Sequence, residues 1–190
     1  INEILTHTDL PQVDSIELFN PTPTNVTIGG WYLTDDAGTP KKYRIPTNTV
    51  VPAGGYVCFN EAQFNAAPGS SNSFALSSVG DDVYLFSADA AGNLTGYDHG
   101  VAFGASFNGF SFGRYVNSAG EESFPSQTAL SLGTPNADPR IGPIIISEIN
   151  YHPATNGDEF IELLNITASA VPLFDPLRPT NTWKLTGIGF

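Results

Sequence analysis

The sequence predicts an all-β protein: an antiparallel β-sandwich followed by the opening strands of a second one, in tandem. Three observations carry this. Short runs rich in β-branched and aromatic residues alternate with turn formers roughly every ten residues. No window of ten or more residues shows the 3.6-residue apolar period of a helix. The opening of the chain also recurs, without a gap, 145 residues further on.

Taken in order, Ile1-Asn2-Glu3-Ile4 opens a first strand, and Ser15 to Phe19 alternates in and out before Asn20-Pro21 stops it. Val26-Thr27-Ile28 leads through Gly29-Gly30 into Trp31-Tyr32-Leu33. Asp35 to Gly38 reads as a turn, Lys42 to Ile45 as a strand, and Pro52 to Gly55 as a turn needing positive φ. Tyr56 to Phe59 is a strand, and Glu61 to Asn65 forms a single helical turn. Asp82 to Phe86 is a strand turned back by Ala90 to Asn93 into Leu94 to His99. Asp35-Asp36, Asp81-Asp82 and Asp89 read as turn formers whose side chains accept backbone hydrogen bonds.

The repeat divides the chain. Ile1, Glu3, Ile4, His7, Ile16, Glu17, Leu18 and Asn20 recur as Ile146, Glu148, Ile149, His152, Ile161, Glu162, Leu163 and Asn165. The expected organisation is a first sandwich over residues 1–137, a proline-bearing linker over 138–143, and the N-terminal part of a second sandwich over 144–190. The register slips around Phe174 to Pro179, after which Trp183 resembles Trp31. A partial sandwich buries no core of its own, so the second unit calls for further chain, the first unit or another molecule.

Composition narrows the function. Lys and Arg total seven and the net charge is −12, too little positive charge to neutralise a phosphate backbone or to seek an anionic membrane. Nucleic-acid binding is therefore not expected. No apolar run approaches the ~20 residues of a membrane span. Cys58 is the single cysteine, read as a buried small hydrophobe in the run Tyr56 to Phe59.

The ordered pieces resemble one family. Ile1 to Ile4, Ser15 to Pro21, Val26 to Leu33, Val51 to Tyr56, Gly80 to Leu85 with Asp98, Ser111 to Arg114, and the closing Leu132-Gly133-Thr134-Pro135-Asn136 are similar, in that order, to the lamin tail domain as found in bacterial secreted and surface proteins. The resemblance covers the whole first unit. It implies an immunoglobulin-like β-sandwich, no catalytic activity, and a role as spacer, anchor or recognition unit. A secreted or cell-surface setting follows from the resemblance, supported by low Lys content and Asn/Thr/Gly-rich composition.

Candidate sites are few. Glu3, Asp14 and Glu17 lie on the first two strands, and hard cations such as Ca²⁺ take oxygen ligands. These three are the weak metal candidates; solvated strand edges or turn caps are the plainer reading. No other cofactor is expected. His7, His99 and His152 stand isolated, short of the converging ligands a zinc site needs. No nucleophile elbow, phosphate loop or dinucleotide fingerprint occurs. Sequons at Asn25, Asn93 and Asn165 matter only in a glycosylating pathway. The segment Phe103 to Phe112 reads either as an adhesive patch or as a loop or irregular strand packed on the core. Trp31 reads as a core aromatic whose close packing needs Gly29-Gly30.

The expected function is a non-catalytic structural or interaction module of a larger secreted or surface protein. Its partners are protein, with self-association through the second unit, or glycan. The rival is a glycan- or protein-binding accessory domain beside an extracellular enzyme.

Overall fold

The computed structural model describes residues 1–154, 157–185 and 187. The chain forms two compact units, Ile1–Arg140 and Ile141–Phe190. Of the expected linker, Asp138 to Arg140 are bonded into the first unit: Thr128 N–H donates to Asp138 O at 2.9 Å, and Arg140 N–H to Ser126 O at 2.7 Å. Ile188 to Phe190, the end of the expected second unit, lie outside the described residues.

In the first unit β1 is Glu3–Leu5, β2 Ser15–Phe19, β3 Val26–Thr27, β4 Tyr32–Thr34, β5 Tyr43–Arg44 and β6 Val50–Val51. They are followed by β7 Tyr56–Asn60, the single-turn helix α1 Glu61–Phe64, β8 Gly80–Ala88 and β9 Leu94–Gly104. β10 Ser111–Gly113, β11 Tyr115–Val116 and β12 Glu122–Ser123 complete it. One sheet runs β10-β1-β2-β7 and the other β5-β4-β8-β9, with the two-strand ribbons β3-β6 and β11-β12 beside them. Every pairing is antiparallel. The all-β sandwich expectation holds.

The period of two along each strand assigns the faces. Ile4, Ile16, Leu18 and Phe59 from the first sheet join Leu33, Val83, Leu85, Val101 and Phe103 from the second in one buried core. Burying a side chain of this size stabilises by roughly 1.5–3 kcal/mol. Gly29 is demanded by packing, because a Cβ there would lie 1.9 Å from Thr47 O. Gly54 holds φ at +61°, the conformation its turn requires. Trp31 is half-buried, packed on the core with one side toward Tyr97 at 5.7 Å.

Two local expectations are corrected, and a third is resolved. Cys58 is exposed, because alternation turns it to the face opposite Phe59. Asp81-Asp82 belong to β8 rather than to a turn, although Asp81 does accept the Ser77 N–H at 3.0 Å. Phe103 to Phe112 is divided: its two ends are core residues with ring centroids 5.3 Å apart, and its middle is a loop.

In the second unit β13 Ile144–Asn150 pairs with β14 Phe160–Asn165, and β15 Phe174–Asp175 with β16 Arg178–Thr182. The repeat is kept in the register: Glu148 opposes Glu162 and Ile149 opposes Ile161, as Glu3 opposes Glu17 and Ile4 opposes Ile16. The burial is not kept. Ile4 is fully buried, whereas Ile149 is 57% exposed. Among the described residues β13-β14 is a two-stranded sheet, without the counterparts of β7 and β10 that flank β1-β2.

Candidate functional site

Strand alternation puts Ile4, Ile16 and Leu18 into the core and therefore turns Glu3 and Glu17 to the other face of the same sheet. Around the pair that face is covered, although Cys58 at its β7 edge is exposed. β10 and β7 flank the pair, and the loop Ser131 to Asn136 lies over it, so both glutamates are fully buried. The reading of Glu3 and Glu17 as solvated edges is thereby overturned.

Neutral donors hold both carboxylates. Glu3 accepts from Ser111 Oγ at 2.6 Å, Ser131 N–H at 2.9 Å and Ser131 Oγ at 2.7 Å. Glu17 accepts from Asn2 Nδ2 at 2.8 Å and from the Gly133 N–H. Asn136 locks the loop from its far side. Its Oδ1 accepts from Asn2 Nδ2, and its Nδ2 donates to Asn2 O and Arg114 O. Among the described residues, no Lys, Arg or His hydrogen-bonds to either glutamate. Burial pushes the Glu17 carboxyl above its ordinary range; the Gly133 and Asn2 bonds oppose this, and the Glu3 charge adds to it. With their oxygens already engaged, these groups act as a latch for the closing loop.

Asp14 stands apart from that latch. It is buried just ahead of β2 and accepts from Thr8 Oγ1 at 2.8 Å. Burial raises its carboxyl, with Thr8 opposing, Glu61 adding and His7 opposing. Glu3 and Glu17 are thus brought together, and Asp14 answers to different neighbours. Among the described residues no group of three or more His, Cys, Asp or Glu is placed to hold a metal. The Cys58 thiol is pushed up to about 11, by desolvation first and then by Glu17, so it is protonated at neutral pH.

A different chemistry occupies one end of the sandwich. His7 Nδ1 lies 2.9 Å from Ser106 O, Gly109 N–H donates to His7 O at 2.7 Å, and Ser106 N–H donates to Ser78 O at 3.0 Å. Asn108 Nδ2 donates to Asp9. These bonds tie three loops together, and each loop presents one apolar side chain to solvent: Leu10, Val79 and Phe107, between 64% and 87% exposed. The Arg140 guanidinium sits over Phe107 and Phe110, 4.7 and 4.3 Å from the ring centroids.

A family model described as the Lamin Tail Domain matches residues 1–100, more than half of the chain. The chain belongs to the lamin tail domain family. No curated protein and no solved structure matches it.

The lamin tail assignment makes the first unit a β-sandwich module of interaction or structural type. Two of the pieces that resembled the family now have physical tasks. Ser111 to Arg114 supplies β10 and a hydroxyl for Glu3, and Leu132 to Asn136 is the loop latched over the glutamates. Several residues were missed in the sequence. Ser131 and Ser111 carry no pattern that marks them as carboxylate ligands. Gln127, 1% exposed, takes the Ser131 hydroxyl at 2.9 Å on its Oε1 and leaves its Nε2 without a partner. Leu10 and Val79 were legible only as apolar residues inside polar turns. Among the described residues no helix is long and apolar enough to cross a membrane.

Proposed function

We propose that this lamin tail module is a non-catalytic contact unit of a larger secreted or surface protein of bacterial type. It binds a protein partner through the loop end that carries Leu10, Val79 and Phe107. The observation behind this is the exposure of three apolar side chains on three loops that hydrogen bonds hold together. Single exposed apolar residues are ordinary, but a pinned cluster at one end of a sandwich is how such folds present recognition loops.

A photo-crosslinking amino acid at position 107, in the native parent protein, tests the reading. Position 50 on β6, also exposed, serves as control. A discrete protein adduct from 107 and none from 50 supports it. No adduct from either position, or the same adducts from both, overturns it.

A further role in assembly rests on the second unit. Ile146, Ile149 and Leu163 are exposed there, whereas their counterparts Ile1, Ile4 and Leu18 are buried. Self-association through that face is concentration-dependent, and a monomer by light scattering across a wide concentration range rules it out.

A further inference from the structure

β9 is the longest strand of the first unit, and it stands at the edge of its sheet. An edge strand invites pairing, and folds guard such edges by cover, by brevity, by Pro or Lys, or by a bulge. β10 is covered: Gln127 N–H donates to Ser111 O at 2.8 Å, and Gly113 N–H to Pro125 O at 3.0 Å. β5 has only two residues. From Asp98 to Gly104, β9 has none of these devices. Its register with β8 is unbroken there, because the bulge of this pair falls earlier on β9, at Thr95 to Tyr97. The stretch holds no Pro, Lys or Arg. Among the described residues, no backbone hydrogen bond reaches its other edge.

The ladder fixes which groups face outward. Asp89 N–H donates to Asn93 O at 2.9 Å, across the turn that joins β8 to β9. Bonding direction alternates along a strand, so Leu85 and Val83 also aim their polar groups at β9. Their partners His99 and Val101 return them. Asp98, Gly100, Ala102 and Gly104 therefore point N–H and C=O away from β8. All four residues are exposed.

We propose that this edge is the two-fold contact of a homodimer, formed by antiparallel pairing of β9 with β9 of a second copy. A strand paired antiparallel with itself makes an isologous contact, and one register uses the whole free stretch. It sets Val101 opposite Val101 of the second copy, Gly100 opposite Ala102, and Asp98 opposite Gly104. Each outward N–H then meets an outward C=O, and the two four-stranded sheets become one. The side chains suit this register. Asp98 meets glycine, whereas a two-fold centred on Asp98 would set like charges opposite each other. The remaining outward residues are Gly and Ala, small enough to leave the approach open. The contact uses neither Leu10, Val79 and Phe107 nor any residue of the second unit.

Sedimentation velocity on the 190-residue chain tests this, in an Ile149→Asp background that disables the exposed apolar face of the second unit. A reversible dimer is expected. Ala102→Pro deletes an outward N–H and leaves the ladder to β8 intact, a change that edge strands accept. It should raise the dimer dissociation constant roughly tenfold or more, while Ala102→Ser leaves it unchanged. Gly104 gives an independent reading, because a Cβ there meets nothing within 4 Å. Gly104→Lys faces Asp98 of the second copy and should tighten the dimer several-fold, and Gly104→Asp should loosen it. Asp98→Asn should erase the difference between those two. A monomer at every concentration overturns the proposal. A dimer that Ala102→Pro leaves as tight as before also overturns it. So does equal dimerisation of Gly104→Lys and Gly104→Asp, which decides the matter if Ala102→Pro fails to fold.

Discussion

Glu3 and Glu17 face each other across β1 and β2, fully buried. Two like charges set directly opposite destabilise a sheet pair. The fold tolerates them because Ser111, Ser131, Asn2 and Gly133 aim donors at their oxygens, and a buried acceptor is stable only when so satisfied.

Removing one partner therefore strands the others. Glu3→Ala leaves the Ser131 N–H and the Ser111 hydroxyl without their acceptor, while the Ser131 hydroxyl keeps Gln127 Oε1. Relief of repulsion on Glu17 offsets part of the cost. The expected net loss is about 3 kcal/mol, read as a lower urea midpoint at unchanged slope. Glu3→Gln keeps an acceptor and loses about 1 kcal/mol.

The pH dependence has a definite sign. Glu17 is held above the ordinary carboxyl value of 4.5, chiefly by burial. A raised folded value means the native state keeps a proton the unfolded chain releases. That stabilisation is complete below 4.5 and is lost as pH rises through the folded value. Asp14 acts in the same direction. Thermal melts of Glu17→Gln from pH 4 upward should lack part of the decline seen in the parent protein. Parallel curves for the two proteins would mean Glu17 titrates normally.

Gly29→Ala tests the tight approach of the chain before Trp31. The added Cβ would meet Thr47 O, a backbone atom that cannot swing aside. A loss of about 3 kcal/mol is expected, with the largest change in Trp31 emission.

Calcium is expected to leave the melting temperature unchanged. Of the three carboxylates first considered as ligands, Glu3 and Glu17 are bonded to the closing loop and Asp14 to Thr8. Melts in millimolar Ca²⁺ and in chelator should superimpose; a rise with Ca²⁺ would require the latch to open.

The strands were legible because alternation and turn residues are local properties. Ser15 to Phe19, Tyr56 to Phe59 and the turn of helix at Glu61 all fall where the residues indicate. The latch was half legible. The sequence places Glu3 and Glu17 on the first two strands and repeats their spacing, but it is the strand register that sets them opposite each other, and nothing local says that they are covered. Their cover comes from Ser131 and Gly133, more than a hundred residues away, and no local pattern encodes that meeting. Cys58 was misjudged for a related reason: an apolar run conceals which residue alternation turns outward.

The closing loop also determines how the first unit bears force. Asn2 and Glu3 at its start are bonded to Asn136 and Ser131 near its end, and Arg140 N–H is bonded to Ser126 O beside β10. Tension applied between the two ends meets these bonds first, before the facing sheet is disturbed. The unit is thus a clasp, whose resistance to pulling is set by a few polar contacts at its hem while its oily interior stays unstrained until the clasp gives way.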